Sequence, residues 1–188
     1  MDYLSVYTNA FNIPSYSAEH HIQYDYIIEA LLRFNNSSNN IIDIGSGRGH
    51  IIKMINNIAN KLDNYSITSV DLDKFHSESC NNFIKCNLSN EHNRQILLNS
   101  VYDIVICTDV FEHLDKLYID EVIKLCSKLG SKCVFGIANH SDILNGVELH
   151  TIQENDLWWD NILIKYFNII KKDIFYDGKL YMYVCNSK

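Results

Sequence analysis

Ile41-Ile42-Asp43-Ile44-Gly45-Ser46-Gly47-Arg48-Gly49 decides how this chain folds. An apolar run ends in a carboxylate and three glycines follow at alternate positions. Ile51, Ile52, Met54 and Ile55 then recur at helical spacing. The order is strand, tight loop, helix. Glycine suits such a loop because it accepts positive φ and, lacking a Cβ, lets a ligand approach the backbone. The loop also delivers the chain to a helix N-terminus, where unpaired N–H groups and the dipole favour an anionic or polar group. A bound ligand is expected here, but the loop alone does not name it.

Outward from this loop the pattern alternates. On the N-terminal side, a helix is predicted over residues 17–34, with Ser17 as N-cap and Ile22, Tyr26, Ile27, Ala30 and Leu31 on its inner face. The polar run 35–40 reads as the loop that joins it to the first strand. Strands are predicted at 40–44, 66–70, 82–86, 103–107 and 132–138, with helices near 49–62, 91–100, 116–129 and 153–167. Apolar strands alternating with helices argue for an α/β fold, a mostly parallel sheet covered on both faces. The C-terminus breaks this rhythm: 169–176, Asp177-Gly178 and 179–185 carry a hairpin signal, because Asp-Gly suits a two-residue type I′ turn. No repeat or long linker divides the sequence. One domain over 1–188 is expected, with an N-terminal segment and helix to residue 39 and a ligand-binding core over 40–188.

Composition narrows the function classes. The 188 residues are 47% hydrophobic, enough for a real core. No apolar stretch reaches the length of a membrane span, and the N-terminus lacks a signal-peptide core. The six cysteines form no CxxC pair and several fall in predicted strands, so reduced core thiols in a cytoplasmic protein are expected. Neither a disulfide framework nor a metal site is expected. The net charge of −7, without a basic cluster, disfavours nucleic acid as a partner.

In open α/β sheets the ligand lies beyond the carboxyl ends of the strands. Those ends read Asp43 with the glycine loop, then Val70-Asp71-Leu72-Asp73, Cys86-Asn87-Leu88, and Thr108-Asp109-Val110-Phe111-Glu112-His113-Leu114. A carboxylate after the second strand can accept from both hydroxyls of a ribose, and an amide after the third can pair with an adenine edge.

This ordered set resembles the class I S-adenosylmethionine-dependent methyltransferases, over about residues 40–186. The phrase from Asp103 to Leu114 is similar to the small-molecule branch that includes the ubiquinone-biosynthesis methyltransferases. The resemblance implies a Rossmann-like, doubly wound, seven-stranded sheet, mostly parallel with an antiparallel C-terminal hairpin strand and helices on both faces. It also implies a cofactor site. Gly45, Ser46, Gly47 and Gly49 pass under the methionine part of S-adenosyl-L-methionine, Asp43 lies near its amino group, and Asp71 with Leu72 takes the ribose. Asn87, where the family commonly has Asp, faces the adenine, and Asp109 completes the set. Arg48 replaces a small residue and is expected to face solvent, and Asp73 reads as a cap or surface group.

Methyl transfer requires alignment above all, and a base only where the acceptor must lose a proton. Histidine suits that task near neutral pH, and three are candidates. His113 opens the region after the fourth strand, where capping or packing is its first reading. His140 follows the fifth strand and His150 precedes the last helix; a solvated loop residue is the alternative for each, and His150 is preferred as base. Glu112 reads as a structural carboxylate at a helix start. Of Trp158 and Trp159 on the last helix, one is expected to pack on the sheet and the other to be partly exposed. Tyr3, Tyr7, Phe11 and Tyr16 form an aromatic lead segment that either covers the cofactor or merely anchors the terminus.

The expected activity is methyl transfer to an oxygen or nitrogen of a small-molecule or glycan-like acceptor. Two other readings stay open: an NAD(P)-dependent oxidoreductase, against which the loop is not GxGxxG, and a cofactor-binding but non-catalytic partner subunit. Oligomeric state is not addressed by the sequence.

Overall fold

The β-branched, apolar runs become strands and the 3.6-residue patterns between them become helices, as a computed structural model describes for residues 3–11, 13, 21–34, 39–58 and 65–188. The strands β1 (Asn39–Ile44), β2 (Tyr65–Asp71), β3 (Asn82–Lys85), β4 (Tyr102–Thr108) and β5 (Gly130–Ala138) run parallel. Two further short strands, β6 (Ile143–Leu144) and β7 (Val147–Glu148), form a separate hairpin. β8 (Phe167–Phe175) and β9 (Leu180–Ser187) complete a seven-stranded sheet in the order β3-β2-β1-β4-β5-β9-β8, in which β9 is antiparallel to both neighbours. The mostly parallel, Rossmann-like sheet expected from the sequence is therefore present, with its one reversed strand.

Alternation along each strand builds two cores. Ile41 and Ile42 are both fully buried, yet face opposite sides. Ile41, Ile67, Ile104, Ile106, Val134 and Met182 pack under α2 (His21–Phe34) and α3 (His50–Asn57). On the other face Ile42, Val105, Phe135 and Ile137 meet α4 (Glu91–Leu97), α5 (Lys116–Leu129) and Trp159 and Leu163 of α6 (Asp156–Leu163). Trp159 is buried and Trp158 half-buried with Lys116 over its ring, away from the cleft, as the 100° offset requires. Five cysteines are buried and Cys80 half-buried; all six are free thiols.

Several boundaries differ from the sequence reading, for local reasons. Gly49, at φ 76°, caps α3 instead of entering it. The predicted end of that helix, and the Ser17 cap and Tyr16 further upstream, lie outside the described residues. The helix predicted over 153–167 shortens to α6, because the side chain of Asn155 accepts from Trp158 N–H and fixes the start there, while Phe167 already opens β8. The aromatic lead segment is itself helical, as α1 (Tyr3–Phe11).

The C-terminal hairpin forms, but not with a two-residue turn. Phe175 pairs with Leu180, and Tyr176, Asp177 and Gly178 all take positive φ (53°, 54° and 86°) between them. The two-residue signal is used elsewhere. Asn145 and Gly146, at φ 51° and 80°, close β6 onto β7 as a type I′ turn requires.

Candidate functional site

The register of β1 aligns Ile44 with Val70 on one side and Cys107 on the other, so the strands end level. The glycine loop then turns across those ends. Gly45 and Ser46 N–H both donate to Val70 O, at 2.8 and 3.1 Å, and Gly47 N–H donates to Asp71 Oδ2 at 2.7 Å. Gly45 and Gly47 adopt φ 76° and 47°. A Cβ on Gly45 would sit 2.1 Å from Val110 Cγ2, so the loop also needs glycine for its packing against the turn after β4. Ser46 is buried and accepts from Ser69 Oγ, which in turn meets His76 Nε2.

Two carboxylates stand behind this loop. Asp43 is buried and its Oδ2 has no partner among the described residues. Burial, helped by Asp71, pushes its carboxyl up to about 7. Asp71 is raised to about 6, mainly by burial, although the N–H groups of Gly47 and Leu72 favour its ionised form. Asp73 is partly exposed and paired with Lys85, in line with the surface role expected for it.

A narrow cavity of about 110 Å³ runs from Gly45 and Gly47 past Asp71 and Leu72 to Cys86, Asn87, Leu88 and Ser89. Asn87 is tied into its own loop. Its Oδ1 accepts from Ser89 N–H, and its N–H donates to Asn93 Oδ1. Its amide NH₂ is thus the group available to a ligand.

On the other side of the glycine loop lies a wider cavity of about 640 Å³, lined by Gln23, Thr108, Asp109, His113, His140 and His150 among others. Asp109 has φ 53°; its N–H holds Gly136 O and its Oδ1 accepts from Gln23 Nε2. Gln23, buried on α2, was invisible to the sequence reading, since nothing in a helical glutamine marks it as a cleft residue. Phe111, Glu112 and His113 form a single 3₁₀ turn. The helix proper begins at Lys116, as the predicted range 116–129 has it, so Glu112 stands in this separate turn and not at the helix start.

Glu112 is fully buried. One of its oxygens accepts from Ala138 N–H at 2.9 Å and Oε2 has no partner among the described residues; burial and the nearby Asp109 hold its carboxyl well above the usual range. Ile152 N–H and Thr151 Oγ1 bond its backbone carbonyl, which draws the 150s loop against the turn. His150 is thereby buried, with its Nδ1 2.6 Å from His140 O, while His113 Nδ1 lies 3.2 Å from Leu149 O. The two rings meet edge to face at 4.6 Å. Burial lowers both pKa values, that of His113 to about 3, so both imidazoles are neutral. His140 is exposed, at 4.9 Å from the His150 ring. The structure thus brings His113 and His150 together with Glu112, and leaves the His140 side chain at the rim.

α1 lies over the seam. Tyr7 and Phe11 line both cavities, and Tyr7 packs edge-on against His113. Arg48 does not face solvent as expected: it donates to the carbonyls of Phe11 and Ile13, and so fastens the C-terminus of α1 to the glycine loop.

A family profile described as a methyltransferase domain matches residues 18–168. No curated protein sequence matches the chain. Among solved structures, a S-adenosylmethionine-dependent methyltransferase from Clostridium acetobutylicum superposes with TM-score 0.69 at 13% identity, over 98% of each chain. The N-methyltransferase NodS from Bradyrhizobium japonicum, solved with S-adenosyl-L-homocysteine, gives 0.67 at 10% identity over 97% of each chain. Magnesium protoporphyrin IX methyltransferase from Synechocystis, solved with S-adenosylmethionine, gives 0.64 at 14% over 89% of this chain and 79% of that one. At these identities the likeness is one of fold.

Proposed function

Because the chain belongs to the methyltransferase-domain family, we propose that it moves a methyl group from S-adenosyl-L-methionine to an oxygen or nitrogen of a small-molecule or glycan-like acceptor. The chain is a class I methyltransferase, and S-adenosyl-L-methionine is its methyl donor. The observation that carries the reading of the site is the single narrow cavity shared by Gly45, Gly47, Asp71, Leu72 and Asn87. It supports assigning that half of the cleft to the donor.

The donor supplies an electrophilic methyl on a sulfonium centre; the chain supplies recognition and alignment. Gly45 and Gly47 offer their backbone to the narrow cavity and Ser46 borders the wide one, while Gly49, packed against His76 and Glu78, shapes the turn that presents them. The unpartnered Oδ2 of buried Asp43 suits an ammonium group, whose charge would settle a carboxylate that is otherwise costly to ionise. Asp71 is oriented by two N–H groups and can still accept from ribose hydroxyls. Asn87 would donate its NH₂ to a ring nitrogen of the base. Asp109, held at positive φ, joins the donor half to the acceptor half.

The wide cavity receives the acceptor. His150, neutral and with Nδ1 committed to a backbone carbonyl, presents Nε2 to whatever proton must leave; His113 stands next to it, and His140 borders the entrance. The net charge of −7 favours a neutral or cationic acceptor over nucleic acid. No described helix is long and apolar enough to cross a membrane. Together with the free thiols, this is consistent with the cytoplasmic setting we propose.

Thermal unfolding with S-adenosyl-L-homocysteine and, separately, NADH tests the reading. A ligand at 100 times its Kd stabilises by about 2.7 kcal/mol, which for a domain of this size raises Tm by roughly 5–10 °C. The shift is expected with S-adenosyl-L-homocysteine only. A shift with NADH alone would return the chain to the oxidoreductases.

A further inference from the structure

Glu112, His113 and His150 converge at the carboxyl end of β4, with one ligand-type atom from each lying within 4.8 Å of the others. Their hydrogen bonds say what belongs between them. The partners of His113 Nδ1 and His150 Nδ1 are the carbonyls of Leu149 and His140, at 3.2 and 2.6 Å. A carbonyl only accepts, so each ring carries its proton on Nδ1 and turns the lone pair of Nε2 away from it. Glu112 adds a buried carboxylate oxygen without a partner among the described residues. Two imidazoles and a carboxyl group thus gather at one point, with the Glu112 carboxyl proton the one donor they could share. Acceptors alone repel; a cation converts the same arrangement into bonding.

We propose that Glu112, His113 and His150 bind a divalent first-row transition-metal cation, whose remaining positions face the wide cavity and take an oxygen of the acceptor. Imidazole and carboxylate together suit such an ion. Metal-bound histidines characteristically donate their other ring N–H to a backbone carbonyl, as both rings do here. Ligand bonds of about 2.1 Å place the ligand atoms roughly 3.0–3.5 Å apart, a separation that small side-chain rotations reach from 4.8 Å. Asp109, whose charge acts on both Glu112 and His150, adds negative potential at the rim.

The catalytic use of the ion rests on the methyl-transfer reading; its binding does not. A cation lowers the pKa of a hydroxyl that it binds. The acceptor proton then leaves to solvent, and the oxygen lone pair forms the bond to the methyl carbon. The carbon–sulfur bond breaks with its electron pair remaining on sulfur. His150 is then a ligand and not the base.

The test uses the full chain, stripped by chelator and titrated with Co²⁺, followed by visible absorption. Saturation at one equivalent is expected. His113→Ala and His150→Ala should each bind at least tenfold more weakly, while His92→Ala, an exposed histidine on α4, should bind as the unaltered chain does. Glu112→Gln keeps an acceptor for Ala138 N–H and removes the charge, and should also weaken binding. Should a variant fail to fold, the unaltered protein still decides: its Co²⁺ form should show two hyperfine-shifted, exchangeable imidazole N–H resonances in proton NMR. Absence of saturable Co²⁺ binding, or undiminished binding in both histidine variants, overturns the site. Co²⁺ binding without stabilisation by S-adenosyl-L-homocysteine would instead sink the methyl-transfer reading and leave the cation site standing.

Discussion

The two halves of the cleft handle their polar groups in opposite ways. In the half between β1, β2 and β3, backbone N–H groups are aimed at the carboxylate of Asp71, and Asn87 closes on its own loop. That half is organised before any ligand arrives. In the half over β4 and β5, backbone carbonyls occupy the ring N–H groups of His113 and His150, and a ligand-type atom of each ring lies within 4.8 Å of the other and of Glu112. That half instead gathers side chains from two distant stretches of the chain. Preorganised donors suit an invariant ligand. A constellation of acceptors suits a bound cation with an exchangeable partner.

Gly45→Ala attacks the wall between the halves and should have the largest effect. Its Cβ would lie 2.1 Å from Val110 Cγ2, at a backbone φ of +76°. Overpacking and left-handed strain together predict a loss of about 2–4 kcal/mol in urea unfolding. Stabilisation by S-adenosyl-L-homocysteine should disappear with it. Stability within about 0.5 kcal/mol of the unaltered protein, the range of a neutral surface change, would show that the wall yields and the halves are not separately fixed.

Asp71→Ala should separate the halves cleanly. Loss of a charged acceptor from hydroxyl contacts costs about 1.5–3 kcal/mol, so S-adenosyl-L-homocysteine should bind roughly 10- to 100-fold more weakly by calorimetry. Co²⁺ binding on the other side should not move. Equal loss on both sides would merge the two halves into one unit.

The smallest effect is a difference in pH slope. Asp43, raised from 3.8 to about 7, holds a proton in the folded chain where the unfolded chain does not, so its contribution to stability falls as pH rises across that window. His113, lowered from 6.5 to about 3, stays neutral in the folded chain where the unfolded ring charges, so its contribution falls as pH drops through that range. Glu112 slopes in the same direction as Asp43, so single replacements are compared. Urea unfolding of ligand-free protein between pH 4.5 and 7.5 should show Asp43→Asn gaining on the parent as pH rises. His113→Asn should gain as pH falls. Parallel slopes would break the comparison.

The donor half was largely legible in the sequence, because its determinants are local. Three glycines, an apolar strand before them and a carboxylate after the next strand are all read within short windows, and the loop geometry follows from φ alone. The acceptor half was not. Glu112 and His113 meet His150 only because Thr151 and Ile152 bond the Glu112 carbonyl, a contact across nearly forty residues with no periodic signature. Glu112 consequently read only as a structural carboxylate at a helix start. Arg48 failed similarly: its partners are the carbonyls of Phe11, at the end of α1, and of Ile13 beyond it, and the short aromatic sequence of that helix gave no clear period. The hairpins show a subtler limit. Asn145-Gly146 carried a turn signal, but flanking strands of two residues were too short to read; Asp177-Gly178 carried one and was absorbed into a longer left-handed turn.

Tyr7 and Phe11 border both cavities, and Arg48 holds the end of their helix on the glycine loop. One door therefore serves two rooms. On the proposed reading, spent donor and finished product both leave past α1, and the reading then requires their departures to share a single rate constant and slow together as solvent viscosity rises.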